Sequence, residues 1–310
     1  MIVEIKNLVK RYKEFVAVDN LSLSIREGEI FGLLGPNGAG KTTTINTILG
    51  LSKKDSGEIK IFGKSMDKDQ EEIKRSIGVV PQNIAVFNDL TAYENVQFFG
   101  RLYGLRGSLL KERIEEALEF SGLLDRKKDF PGKYSGGMQR RLNIACAIVH
   151  KPKLIIMDEP TVGIDPQSRN HILNSVKKLN KSGATVIYTS HYMEEIEELC
   201  TDITIMDCGK IIANGSKEEL KSLVALEEKL TFTLSNINYT MIDQIKKIDG
   251  VKECMLDDRN LTVISQKNSK NLSRIIDSIN NSSSEIVGID VEKPSLEGVF
   301  LTLTGKKLRD

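Results

Sequence analysis

The string Gly35-Pro36-Asn37-Gly38-Ala39-Gly40-Lys41-Thr42 constrains this 310-residue chain more than any other segment. It has the form G-x-x-x-x-G-K-[ST]. It directly follows the apolar run Ile30-Phe31-Gly32-Leu33-Leu34 and precedes a segment whose Ile45, Ile48 and Leu49 recur at helical spacing. A buried strand, a glycine loop and a helix in that order form a phosphate cradle. The glycines let the backbone take turn conformations closed to other residues and aim its N–H groups inward. The helix start adds partial positive charge. In such a cradle Lys41 reaches the β- and γ-phosphates of a nucleotide. Thr42, followed by Thr43, offers a hydroxyl to Mg2+.

Two further apolar runs, Leu154-Ile155-Ile156-Met157 and Ala184-Thr185-Val186-Ile187-Tyr188, read as buried strands followed at once by polar residues. The first ends in Asp158-Glu159-Pro160. Adjacent carboxylates after four apolar residues are unfavourable unless a cation or a reaction uses them. Asp158 is placed to hold Mg2+, and Glu159 to polarise an attacking water. His191 closes the third strand after Thr189 and Ser190. Three strands thus deliver polar groups to one edge, the edge where open α/β sheets bind ligands. His150 and His171 have no such setting and read as surface residues.

Up to about residue 214 the alternation of short apolar strands with helical patterns predicts an α/β domain around a largely parallel sheet. Between 83 and 150 the character turns helical, opening at the capping box Thr91-Ala92-Tyr93-Glu94, and reads as a helical subdomain inserted between strands. A second capping box, Ser216-Lys217-Glu218-Glu219, starts a helix to about Leu226, after which the pattern restarts. Strands are expected at 229–234, 251–255, 261–264 and 286–291, with helices at 240–248 and 271–279. That β-α-β-β-α-β order is the ferredoxin-like split motif. The expected organisation is a domain over 1–224 and a small α+β domain over 225–310.

Composition excludes several classes. Apolar residues make up 40% and charged residues 28%, so disordered, collagen-like and repeat readings fall away. Lys plus Arg (44) against Asp plus Glu (43) leaves a net charge of +1, without the basic excess of a nucleic-acid binder. No run reaches the ~18 apolar residues of a membrane helix. Met1 to Lys6 alternates like a strand rather than a signal peptide. Cys146, Cys200, Cys208 and Cys254 show no C-x-x-C spacing, so neither a zinc site nor a disulfide framework is indicated. A soluble, cytosolic chain is expected.

Between the helical stretch and the acid pair lies Tyr134-Ser135-Gly136-Gly137-Met138-Gln139, opening a helix whose apolar face is Met138, Leu142, Ala145 and Val149. Serine before paired glycines at a helix start makes a second anion-binding terminus. Arg141 stands thirteen positions before Leu154, the start of the strand that ends in Asp-Glu. With that placement, residues 1 to about 220 resemble the ATPase subunit of an ATP-binding cassette (ABC) transporter, a P-loop nucleotide-binding domain with a helical subdomain. The tail Pro294-Ser295-Leu296-Glu297-Gly298-Val299-Phe300-Leu301-Thr302-Leu303-Thr304-Gly305 resembles ATPases of bacterial drug, antibiotic, sodium or polysaccharide exporters.

The resemblance implies specific roles. Gly35 to Thr43 (Gly35, Pro36, Asn37, Gly38, Ala39, Gly40, Lys41, Thr42, Thr43) would bind ATP, with Thr42, Gln82 and Asp158 around Mg2+. Tyr12 would stack on adenine, with Phe15 as a rival. Gln82, after Gly78-Val79-Val80-Pro81, would link the site to the helical subdomain. Ser135, Gly136, Gly137 and Gln139 would meet nucleotide in the signature motif, whose usual leading leucine is here Tyr134. Asp165 sits in the D-loop, Gly163-Ile164-Asp165-Pro166, and His191 would touch the γ-phosphate. With Lys41, Glu159 and His191 present, ATP should be hydrolysed as well as bound. In the family two such subunits pack head to tail, each phosphate loop facing the other's Ser-Gly-Gly, as a homodimer or with a paralogous ATPase. Transmembrane permease subunits would dock beside Gln82 and the 83–104 segment, placing the chain at the cytoplasmic face of the membrane, with export implied and no nucleic-acid partner. The rival classes are a soluble cassette ATPase acting on nucleic acid or the ribosome, and a regulator without turnover. The Lys41–Asp158 interval is too short for the coiled coil of the DNA-repair members, there is one cassette rather than two, and Glu159 and His191 are intact.

Overall fold

The computed structural model describes residues 1–190, 192–224, 227–266, 271–282, 284–292 and 295–305. The chain divides between Lys217 and Glu218 into two compact units, one from Met1 to Lys217 and one from Glu218 to Leu303. The helix opened by the second capping box therefore falls almost wholly in the second unit, seven residues ahead of the 224/225 boundary read from the sequence.

The first unit begins with β1 (Val3–Tyr12), β2 (Phe15–Ile25), β3 (Ile30–Leu34), α1 (Lys41–Ile48), β4 (Ser56–Ile61), β5 (Lys64–Ser65), α2 (Gln70–Lys74) and β6 (Ile77–Val80). The helical stretch follows as α3 (Ala92–Leu102), α4 (Gly107–Phe120) and α5 (Gly136–Ile148). Then come β7 (Leu154–Asp158), α6 (Pro166–Lys181), β8 (Thr185–Thr189), α7 (Met193–Leu199), β9 (Asp202–Asp207) and β10 (Lys210–Gly215).

Six strands form the central sheet in the order β10-β9-β3-β8-β7-β6, parallel except for the β9–β10 hairpin. All five residues of β3, of β7 and of β8 are buried, which is why these runs are continuously apolar rather than alternating. Register fixes the site. Gly32 lies beside Tyr188, Met157 beside Tyr188 and Asp158 beside Thr189, so the loop after β3 and the ends of β7 and β8 emerge together.

A largely parallel sheet is only part of the domain. A separate antiparallel layer, β2-β1-β4-β5, covers it. Its hairpin turns at Lys13, which takes φ 54° without the glycine or asparagine that would mark such a turn in sequence. Register shifts along β1 and β2 also break the two-residue alternation. One apolar cluster joins the layers: Val3, Ile5, Leu8, Leu23 and Ile59 meet Phe31, Leu33, Leu154 and Ile156, with Ile45 and Ile48 of α1 in the same cluster. The helix after the phosphate loop is thereby fixed between two sheets.

In the helical stretch Thr91 and Glu94 make the anticipated reciprocal cap. Asn95, fully buried, accepts the Phe87 N–H and donates to the carbonyls of Phe87, Leu90 and Thr91, which orders the preceding loop. Tyr134 is buried, its hydroxyl donating to Arg126 O (2.7 Å). His150 is not the surface residue its sequence setting suggested. Its ring is stacked on Tyr103 at 3.5 Å between centroids, Nε2 lies 3.2 Å from Ile77 O, and burial pushes its pKa down to about 4.

The second unit comprises α8 (Lys217–Val224), β11 (Glu227–Leu234), α9 (Thr240–Lys246), β12 (Val251–Asp257), β13 (Asn260–Gln266), α10 (Asn271–Asn281), β14 (Ile286–Glu292) and α11 (Leu296–Thr304). Its sheet has the order β12-β13-β11-β14 with every neighbouring pair antiparallel, the ferredoxin-like arrangement. Leu230, Phe232 and Leu234 alternate onto the core face with Leu261 and Val263, against Met241 and Ile245 of α9 and Ile275 and Ile279 of α10. Leu296, Val299 and Phe300 of α11 are buried. Phe232 has no exposed surface. Replacing it by alanine should destabilise this unit by about 3–5 kcal/mol. Hydrogen exchange of the 230–234 amides should quicken accordingly; unchanged protection would contradict the placement of this core.

Candidate functional site

The loop after β3 carries the geometry its glycines allow. Gly38 and Gly40 have φ of 78° and 101°, a region costly for a residue with a side chain. A Cβ on Gly40 would stand 2.4 Å from the Ala17 carbonyl. Gly40 is the N-cap of α1, so the amides of the first turn point at the space above the loop. Lys41 is buried, its Nζ donating to the carbonyls of Gly35 (2.7 Å) and Pro36 (3.2 Å). Burial lowers its pKa, opposed by the nearby carboxylates of Glu159 and Asp158.

A cavity of about 390 Å³ lies over this loop. Tyr12 and Phe15 form one rim, residues 37–43 the floor, and Gln82 and Glu159 the far side. Both aromatics are exposed, Tyr12 at 49% and Phe15 at 63%. Each offers a flat apolar surface at the β1–β2 turn, and the two candidates for a base-stacking contact are neighbours on the same rim.

The acid pair is built around one hydroxyl. Thr189 Oγ1 donates to Asp158 Oδ1 (2.7 Å) and accepts the backbone N–H of Glu159 (2.9 Å). Asp158 Oδ2 lies 3.5 Å from Thr42 Oγ1, so one hydroxyl and one carboxylate, both hard oxygen ligands, stand side by side next to the phosphate loop. That donor set fits Mg2+. Glu159 has φ 48°, an uncommon conformation for a residue with a long side chain. Its Oε2 accepts from Gln82 Nε2 (2.8 Å), which aims the carboxylate at the loop. Asp158 and Glu159 are 7% and 6% exposed. Burial raises the pKa of Asp158, with the charge of Glu159 acting in the same sense and the Thr189 bond against it.

The Ser-Gly-Gly helix start is a different place. Ser135 is the N-cap of α5, its Oγ accepting the Met138 N–H (3.3 Å), and Ser135 and Gly136 are exposed. None of Ser135, Gly136 and Gly137 lines the loop cavity. Gly137 is instead close to the D-loop segment: a Cβ there would meet Ser168 Oγ at 2.2 Å. Asp165 caps α6, accepting the Ser168 N–H (2.9 Å), a bond that lowers its pKa. Gln139 has a partner within its own chain. Its Nε2 donates to Pro131 O (2.9 Å), so within one chain the amide ties α5 to the preceding turn. His191 lies outside the described residues.

Two charged residues join the site that no motif marked. Glu195 of α7 has no exposed surface. Its Oε2 accepts from Thr161 (2.9 Å), Tyr188 (2.9 Å) and Ser190 (2.6 Å), and its Oε1 from Arg169 Nε (2.6 Å). One carboxylate thus holds the turn after Glu159, the end of β8 and the helix behind the D-loop. Arg140 of α5, also buried, reaches the backbone of Gln82. In sequence each reads as an ordinary charge on an amphipathic helix.

The raised pKa of Asp158 has a stability consequence. A carboxylate whose folded pKa exceeds its unfolded value weakens the fold as pH rises through that window. Near neutral pH, Asp158→Asn should therefore raise Tm by ~2–4 °C while removing Mg2+-dependent turnover, the usual opposition of stability and activity. A variant that melts lower, or keeps turning over, would contradict this account of Asp158.

Comparison with known proteins follows the same lines. Residues 18–162 match the family model described as ABC transporter. The linearmycin resistance ATP-binding protein LnrL of Bacillus subtilis (strain 168) is 45% identical over 307 residues, 98% of this chain and 99% of that protein. The daunorubicin resistance ATP-binding protein DrrA2 of Streptomyces coeruleorubidus is 34% identical, covering 96% of this chain and 93% of its own length. Among solved structures, the dimeric post-hydrolysis state of the ATP-binding cassette MJ0796 with ADP and Pi superposes with a TM-score of 0.64. It is 31% identical and covers 69% of this chain and 98% of that one. No helix among the described residues is long and apolar enough to cross a membrane. The chain belongs to the ABC transporter family, as one of its ATP-hydrolysing, ATP-binding subunits.

Proposed function

We propose that this chain powers export of a substrate through separate membrane-spanning subunits, by pairing head to tail with a second copy around ATP. One observation carries the reading. The loop, Glu159 and Gln82 line one cavity, with Asp158 beside Thr42 of that loop, while Ser135 and Gly136 at the second glycine-rich helix start are exposed and lie outside it. A chain with two half-sites that do not meet is completed by another copy.

In this reading the amides of residues 38–43 and the Lys41 ammonium bind the β- and γ-phosphates. Tyr12 or Phe15 supports the base. Thr42 and Asp158, with Gln82, would hold Mg2+, which would supply positive charge against the charge developing on the phosphates. Glu159, aimed by Gln82 and by its bond to Thr189, orients the attacking water and accepts its proton. The Ser135 hydroxyl and the amides of Gly136 and Gly137 of one copy close on the terminal phosphate held by the other. Asp165, beside Gly137, belongs to the same contact. Swinging a pair from 1:99 to 99:1 needs about 5.5 kcal/mol of differential binding, which two bridged nucleotides can provide.

The membrane subunits would dock on the helical stretch. Ile84, Phe87, Phe98 and Leu102 are exposed there, and Phe87, Phe98 and Phe99 form an edge-packed aromatic cluster, with Phe87 and Phe98 at 5.0 Å between centroids. Exposed apolar side chains in the segment after Gln82 offer such a partner a surface on which a short helix could lie. Relatives named for linearmycin and daunorubicin resistance, matched over nearly the whole chain, and one named for Nod factor export support the export reading.

Two measurements test this. Glu159→Gln should reduce turnover at least ~100-fold, bind ATP normally and elute as a dimer with ATP. Adding Ser135→Arg should abolish that dimer while monomer binding survives; an equal dimer yield would rule out the sandwich. Phe98→Asp should leave basal ATP hydrolysis of the isolated chain within ~2-fold. It should also prevent co-purification with a multi-span membrane protein; retained co-purification would move the docking surface elsewhere.

A further inference from the structure

Gln82 is held from both ends. Its side-chain Nε2 donates to Glu159 Oε2 at 2.8 Å, while its backbone carbonyl accepts Nη2 of Arg140 at 2.5 Å, and the Pro81 carbonyl accepts Nη1 at 2.6 Å. Arg140 stands on α5 five residues after Ser135, so ~8 Å of rigid helix separates the anion-facing start from the guanidinium. A continuous chain of contacts therefore runs from Ser135 through α5 and Arg140 to Gln82 and on to Glu159.

The arrangement is an unfavourable way to fill space. Arg140 is 3% exposed, burial pushes its pKa down, and its Nε has no acceptor. Among the described residues it makes no ion pair, and its partners are neutral carbonyls. An apolar side chain could pack here without desolvating a charge. What a guanidinium adds is a planar fork: two parallel bonds to consecutive carbonyls resist both sliding and rotation, where a single ammonium would pivot.

We propose that Arg140 is a positioning residue that couples the two ATP sites of the dimer. When Ser135-Gly136-Gly137 of one copy closes on the nucleotide of the other, the shift of α5 is passed by Arg140 to Gln82 and sets Glu159 in its own copy. This rests on the head-to-tail reading above. Each site thereby senses occupancy of the other, and the coupling is reciprocal. Arg140 touches neither nucleotide nor the reacting water, and binding to the loop does not pass through it.

The test uses the full chain. Arg140→Met is compared with the parent for ATP affinity by calorimetry, for turnover against ATP concentration, and, with Glu159→Gln added, for the ATP-dependent dimer. Expected are an affinity within ~2-fold, a retained dimer, a kcat lower by ~10-fold, and a Hill coefficient falling from near ~2 to near ~1. Arg140→Lys, keeping one donor direction, should give intermediate values and carries the same test if the methionine variant does not fold. Unchanged turnover and Hill coefficient would overturn the inference. So would a fall in kcat with the Hill coefficient intact, or joint loss of affinity and dimer, which is the mark of a purely structural role. Failure of Glu159→Gln alone to dimerise would instead overturn the head-to-tail reading itself.

Discussion

Two carboxylates stand side by side at the end of a strand buried on both faces, and the surroundings are built to keep both there. Asp158 is stabilised by the Thr189 hydroxyl and faces Thr42; Glu159 takes a left-handed backbone conformation and is steadied by Thr189 and Gln82. Buried charge of one sign is tolerated when cations and donors complete the site. Lys41 supplies one such charge, and the fit for Mg2+ and a triphosphate follows from what the acids lack. The parallel register of β3, β8 and β7 makes this possible, since it brings the loop lysine, Thr189 and the acid pair out at one edge.

Each chain presents the two halves of the chemistry in separate places. The loop cavity is lined by Tyr12, Phe15, the phosphate loop, Gln82 and Glu159, and by no residue of the Ser135-Gly136-Gly137 start. The exposed N-terminus of α5 has the complementary shortage, with donors and no charge to meet. In the proposed pairing two copies satisfy both, and the γ-phosphate would serve as the removable contact. The links from α5 to the base, through Arg140 and Gln82, and from the D-loop helix to the end of β8, through Arg169 and Glu195, give such a pair a way to register its own closure.

Much of this was legible because local pattern and chemistry agree. The glycine loop, the three buried strands and the acid pair are contiguous strings whose residue types have one good physical use. The β-α-β-β-α-β order of the second unit is likewise a matter of local periodicity. Less legible was the antiparallel layer, hidden by bulges in β1 and β2 and by a hairpin turn at Lys13 with no glycine. Arg140 and Glu195 were invisible for another reason: a charge on a helix looks solvated until the fold places polar partners opposite it. The contact of Gln139 with the Pro131 carbonyl is another that local pattern does not show. His150 was read as a surface residue because its stacking partner, Tyr103, is distant in sequence.

The central claim is that each nucleotide is gripped by the loop of one copy and the Ser-Gly-Gly start of the other. Cysteines placed singly at Asn37 and at Ser135, in two differently tagged Glu159→Gln chains whose exposed Cys208 has been removed, test it directly. The account predicts a disulfide joining the two tags, formed with Mg2+ and ATP and absent with ADP. No cross-link between chains with ATP, or equal cross-linking without nucleotide, would contradict it.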